Sequence, residues 1–116
     1  MKAQPRQVQD AILHVTTLLV HGQYEELARM SGGERLSADE IEQAVVEYGR
    51  KLVLTPRLLD DADVVITPKS TPPRWSVNIP LWTREEGRSD LTLSLTVIAA
   101  DSPPGYVVEI DDIHVL

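Results

Sequence analysis

The chain has 116 residues, no cysteine, 42% apolar and 25% charged side chains, and a formal net charge of −7. That length supports one core, and the lack of cysteine excludes disulfides, thiolate nucleophiles and cysteine-based zinc sites while fitting a reducing compartment. Excess carboxylate argues against a nucleic-acid surface, which needs clustered Lys and Arg, and suits either a basic protein partner or plain solubility. No apolar run approaches the roughly 20 residues of a membrane span, and the polar start, Met1 to Gln7, has no signal-peptide core. The expectation is therefore a single cytoplasmic domain over 1–116, with neither a membrane nor a nucleic acid as partner.

Helical patterning occupies about 5–52. Val8, Ala11, Ile12, Val15, Leu18 and Leu19 recur at three and four residues, one buried stripe of a helix that begins near Pro5 and ends at Gly22. Tyr24, Leu27 and Ala28 suit a short second helix, closed by a mobile loop at Ser31-Gly32-Gly33. Ser37 and Glu40 have the spacing of a capping box, with Leu36 and Ile41 as its hydrophobic staple. A third helix then runs through Ile41, Ala44, Val45 and Tyr48 to a left-handed cap at Gly49, and Pro56 forbids a helix beyond Leu52-Val53-Leu54.

Sheet patterning occupies about 62–116. Leu58 to Asp63 reads as a connection, and Val64-Val65-Ile66-Thr67 as a first strand. Trp75, Val77, Ile79 and Leu81 alternate with polar residues, as do Leu91, Leu93, Leu95 and Val97, so the two runs form an antiparallel hairpin turning at Arg84 to Arg88. Gly87 suits a position of positive φ in that turn. Pro80 cannot donate to a ladder, so its strand is an edge or is bulged there. In the last strand Tyr106, Val108 and Ile110 have one parity, whereas Ile113 and Val115 have the other. One extra residue at Asp111-Asp112, a bulge, restores a single face. The fold class is α+β: three N-terminal helices packed on one face of a four-stranded antiparallel sheet.

Two sets of residues resemble a known superfamily. One is Leu19 to Ala28 with Leu36 to Ile41 and Tyr48-Gly49; the other is Trp75 to Asp90 with Val108 to Leu116. Together they resemble the nuclear-transport-factor-2-like (cystatin-like) cones, and within them a small uncharacterised bacterial domain family that includes suspected immunity proteins. The resemblance implies a curved, cone-like sheet around the helices, a pocket at its mouth and a tendency to form homodimers. Enzymes of the superfamily use an Asp–His or Asp–Tyr set, and no such set can be matched here.

Candidate site residues fall into two groups. A pocket in the cone would be lined by Tyr48, Trp75, Asp112 and His114, where an Asp beside a His could serve as general base. The plainer role for Asp111 and Asp112 at a bulge is to satisfy backbone groups or face water. Trp75 and Trp82 have opposite parity, so one lies outside the core. With Trp75 inside, Trp82, Pro80 and the tip residues Arg84, Glu85 and Glu86 form a partner surface, or Trp82 merely covers the end of the sheet. His14 and His21 lack a supporting carboxylate set for a metal, and Asp60, Asp61 and Asp63 lack calcium-loop spacing. No catalytic motif, cofactor or metal site is read. The favoured function is a non-catalytic module that binds a protein, a basic toxin being the partner that the resemblance implies; the alternative is a small-ligand or enzymatic cone.

Overall fold

The computed structural model describes residues 5–32 and 35–116. Helix α1 (Arg6–Val20) follows Pro5, whose fixed φ suits a helix entry, and buries Val8, Ala11, Ile12, Val15 and Leu19. Helix α2 (Tyr24–Met30) contributes Leu27 to the core. The turn after it is described as far as Gly32, at a φ of 77°; Gly33, in the expected glycine loop, lies outside the described residues.

Helix α3 (Ala38–Tyr48) starts with the predicted capping box. The Glu40 N–H donates to Ser37 Oγ at 3.2 Å, and the Ser37 N–H donates to Glu40 Oε1 at 3.0 Å. Leu36 and Ile41, on either side, both join the core, and Gly49 closes the helix at a φ of 74°. Ser37→Ala removes the acceptor for an otherwise orphaned helix donor. We expect it to lower stability by about 1 kcal/mol in urea denaturation. Ser37→Thr, which keeps the acceptor, should recover most of the loss, and equal losses from both variants would show that the cap is not responsible.

The strands are β1 (Leu52–Val53), β2 (Asp63–Ile66), β3 (Arg74–Thr83), β4 (Gly87–Ala99) and β5 (Tyr106–Val115), and a 3-10 turn spans Leu58–Asp61. Neighbours run β1-β3-β4-β5, with β2 also paired to β3, and all pairings are antiparallel. The sheet does not close on itself. The sequence reading missed β1, a two-residue strand that exists only because Leu52 and Val53 meet Thr83 and Trp82. Among the described residues no helix is long and apolar enough to cross a membrane.

Two irregularities adjust which residues enter the core. Between Pro80 and Trp82 the β3–β4 register shifts. Buried Ser89 bridges this kink, donating to the Leu81 carbonyl at 2.7 Å and accepting the Leu91 N–H at 3.2 Å. Pro80 also falls where neither β1 nor β2 reaches β3, so its missing N–H breaks no pairing on that side. The second shift is the bulge expected in β5: Ser94 pairs with Asp112 and Leu95 with Ile110, leaving Asp111 unpaired. Ile110 and Ile113 are consequently both buried.

The core lies between the helical layer and one face of the sheet. Val8, Ile12 and Val15 from α1 meet Val77, Ile79, Leu93, Leu95 and Val97 from the central strands, all with no exposed surface.

Candidate functional site

The hairpin tip folds back on the chain. Arg84, Glu85 and Glu86 make the turn, and Gly87 completes it at a φ of 77°. The Arg84 N–H donates to the Lys51 carbonyl at 2.8 Å, and the Lys51 N–H donates to Glu85 Oε1 at 3.0 Å. That backbone donor, more than any other group, holds the Glu85 carboxyl below its usual range. Glu86 accepts the Thr83 hydroxyl on one oxygen and the Tyr48 hydroxyl on the other, each at 3.0 Å. The tip carboxylates thus tie the hairpin to the end of α3 and the start of β1.

Trp82 is half-buried. The Arg57 guanidinium stands 5.5 Å from its ring centroid, its ring packs over Gly87, and its buried Nε1 finds no acceptor among the described residues. Arg57 is itself within 3.3 Å of Asp60, which fixes the cover in place. The geometry matches the role of a side chain that covers the end of the sheet. Pro80, also half-buried, is paired to Thr92 on β4.

The four pocket candidates do not converge. Trp75 is buried at the far end of β3, paired with Val97 and Ile66. Tyr48 is tied to the opposite end, beyond Thr83, and at about 3.3 Å per residue that is on the order of 25 Å of strand. Tyr48 and His114 do share an open groove of about 440 Å³ between α3 and the last residues of β5. His114 Nδ1 lies 3.1 Å from Asp112 Oδ2 but without hydrogen-bond geometry. The other Asp112 oxygen accepts the Ile113 N–H at 3.0 Å, a backbone role. Asp111 is likewise structural: Thr96 donates to its Oδ2 at 2.7 Å, and Arg35 forms a charge contact with its Oδ1 at 3.0 Å. Among the described residues no group of three or more His, Asp or Glu is arranged to hold a metal ion.

The structure instead gathers charge where the sequence reading placed no partner site. Helix α3 carries Asp39, Glu40, Glu42 and Glu47, strand β5 carries Glu109, Asp111 and Asp112, and neither element has a Lys or Arg. The rest of the chain holds eleven carboxylates against eleven Lys and Arg, so these two elements account for the whole net charge of −7. They lie side by side. The groove of about 440 Å³ includes Ala44, Glu47 and Ile113 in its walls, and an adjoining hollow of about 220 Å³ shares these three and adds Glu40 and Gln43. Counting charge by predicted element would have shown the imbalance, but only the packing of α3 against β5 places it on one flank.

The protein is thus a small α+β domain, with helices over one face of an open antiparallel sheet and a charge excess carried by α3 and β5. It belongs to the family described as Domain of unknown function (DUF7668), whose model matches residues 16–116. No curated protein and no solved structure matches the chain.

Proposed function

We propose that this domain is a non-catalytic protein-binding module and that its α3–β5 flank holds a basic segment of its partner. The segregation of charge carries this reading: seven carboxylates on two adjacent elements, with a neutral balance elsewhere. Such a one-sided field attracts a basic surface and orients it on approach. A cytosolic immunity protein that neutralises a basic toxin is the specific form of the reading, supported by the resemblance of the sequence to suspected immunity proteins. Membership of the cystatin-like cones is supported by the order of elements and by the helical layer on one face. The alternative, a ligand-binding or enzymatic cone, draws on the groove shared by Tyr48 and His114. Trp75 lies too far away to serve that groove, and Asp112 is committed to backbone.

Poly-L-lysine and poly-L-glutamate are suitable probes. Poly-L-lysine should bind at low ionic strength and weaken as salt is added, with no binding of poly-L-glutamate. Combined Glu40→Lys, Glu47→Lys and Asp112→Lys should lower affinity roughly tenfold or more, at least about 1.4 kcal/mol. The matched triple Glu25→Lys, Asp63→Lys and Asp101→Lys changes net charge equally on other exposed positions. Equal losses from the two triples would mean that binding follows net charge and not this flank.

A further inference from the structure

The helical layer stops short of the last residues of β5. Val115 pairs with buried Leu91 and so points to the helical face of the sheet, yet it is 58% exposed. No helix covers it.

Helix α3 presents a matching face beside this gap. Glu40, Gln43, Ala44 and Glu47 lie three or four residues apart, on one stripe of the helix, and line the hollow of about 220 Å³. Ala44, Glu47 and Tyr48 continue into the groove of about 440 Å³, opposite Leu91, Ile113 and Val115. The two hollows share Ala44, Glu47 and Ile113, so they run together as one trough. From Glu40 to Tyr48 the helix rises about 12 Å, roughly two turns.

The trough has an apolar floor and charge of one sign at its rim. Glu40 gives one oxygen to the Ser37 N–H, and Glu47 gives one to the Gln43 amide at 2.9 Å, which leaves each a second oxygen. Among the described residues no Lys or Arg lines either hollow. Arg35, close by in sequence, is engaged by Asp111, and His114 at the rim has Asp112 at 3.1 Å.

We propose that the basic segment of the partner is an amphipathic helix that lies in this trough beside α3 and extends the helical layer over the end of β5. The proposal rests on the protein-binding reading above and specifies its mode. A helix bonds its own backbone, so it needs only side-chain contacts. That matters here, because the main chain of β5 is covered: Val108 and Ile110 are each 1% exposed, and Asp112 already takes the Ile113 N–H. An extended segment finds no ladder to join. Apolar residues at helical spacing on the partner would meet Ala44, Ile113 and Val115, while Lys or Arg two turns apart would reach Glu40 and Glu47, themselves two turns apart. A second copy of this chain is disfavoured as occupant, because a two-fold contact here sets α3 against itself, and α3 has four carboxylates and no Lys or Arg.

The test uses a soluble peptide of about eighteen residues of lysine, leucine and alanine patterned as an amphipathic helix, long enough to fold when bound, and an isomer with its leucines scattered around the helix. The amphipathic peptide should bind and gain helical circular dichroism, and the isomer should bind about tenfold or more weaker. Ala44→Trp fills the trough without changing charge and should lower affinity for the amphipathic peptide about tenfold; Val115→Ser, at an exposed position that the fold tolerates, should lower it about threefold. Neither should much alter binding of poly-L-lysine. If the two peptides bind alike, or the bound peptide stays unfolded, charge alone holds them; helix docking is then wrong while the protein-binding reading stands. The same follows if poly-L-lysine binds and the amphipathic peptide does not. Failure of both to bind removes the two readings together. A dimer in sedimentation without peptide, dissociated by Ala44→Trp, would identify a second copy as the occupant and overturn the proposal.

Discussion

Leu93→Ala is expected to cost about 3 kcal/mol of folding stability, within the range of roughly 2–5 kcal/mol seen when a buried leucine is truncated. Leu93 has no exposed surface and lies in β4, paired to Ile79 on one side and to Ile113 on the other. The vacated volume is bounded by strands on both flanks and by the helical layer, so little can collapse into it. Urea denaturation should show a lower midpoint with an unchanged slope. A loss under about 1 kcal/mol would mean that the layers separate or repack there more easily than such tight burial implies. Val46→Ala is a useful control: Val46 is 64% exposed on α3, and its truncation should shift stability by no more than about 0.5 kcal/mol.

Insertion of one alanine between Ile110 and Asp111 should be nearly as damaging, for a different reason. With the single bulge kept, every residue after the insertion moves one position along β4 and changes face: Ile113 is driven from the core, and Asp112 is turned toward it. Exposure of one isoleucine and burial of one carboxylate together cost several kcal/mol, and a melting temperature lower by roughly 10 °C or more is the expected reading. Asp111→Ala separates register from side-chain contacts. It keeps the residue count and loses only the Thr96 and Arg35 partners, so its cost should stay near 1–2 kcal/mol, about the worth of one charged hydrogen bond. Equal effects from insertion and substitution would show that β5 can slip without penalty and that the parity argument is wrong.

Most of the architecture was legible because it rests on short-range patterns. The Ser37–Glu40 cap, the glycine turn at Gly87, the alternating arms of the hairpin and the parity slip in β5 all involve residues within a few positions of one another. Each was observed as expected. Strand β1 escaped notice because two residues carry no period; Leu52 and Val53 become a strand only by meeting the end of β3.

The candidate site was less legible. Glu85 and Glu86 read as free charges on a turn, yet their partners Lys51 and Tyr48 stand 34 and 38 positions away. Trp82 read either as part of a contact surface or as a cover for the end of the sheet, and only the packing of Arg57 across it decides for the cover. Nothing local announces such closures. The acidic flank shows the converse: each carboxylate of α3 and β5 is plain in the sequence, but the two segments are separated by about half the chain.

Local spacing, capping chemistry and parity therefore determined the elements, the α+β class and the residues that enter the core, because side-chain direction in a helix or strand follows from position along it. Which charges remain free, which tryptophan is covered and which strand is left as an edge were decided by tertiary packing. Electrostatic fields and backbone availability depend on what lies alongside, and α3 comes alongside β5 only when the helical layer settles on the sheet.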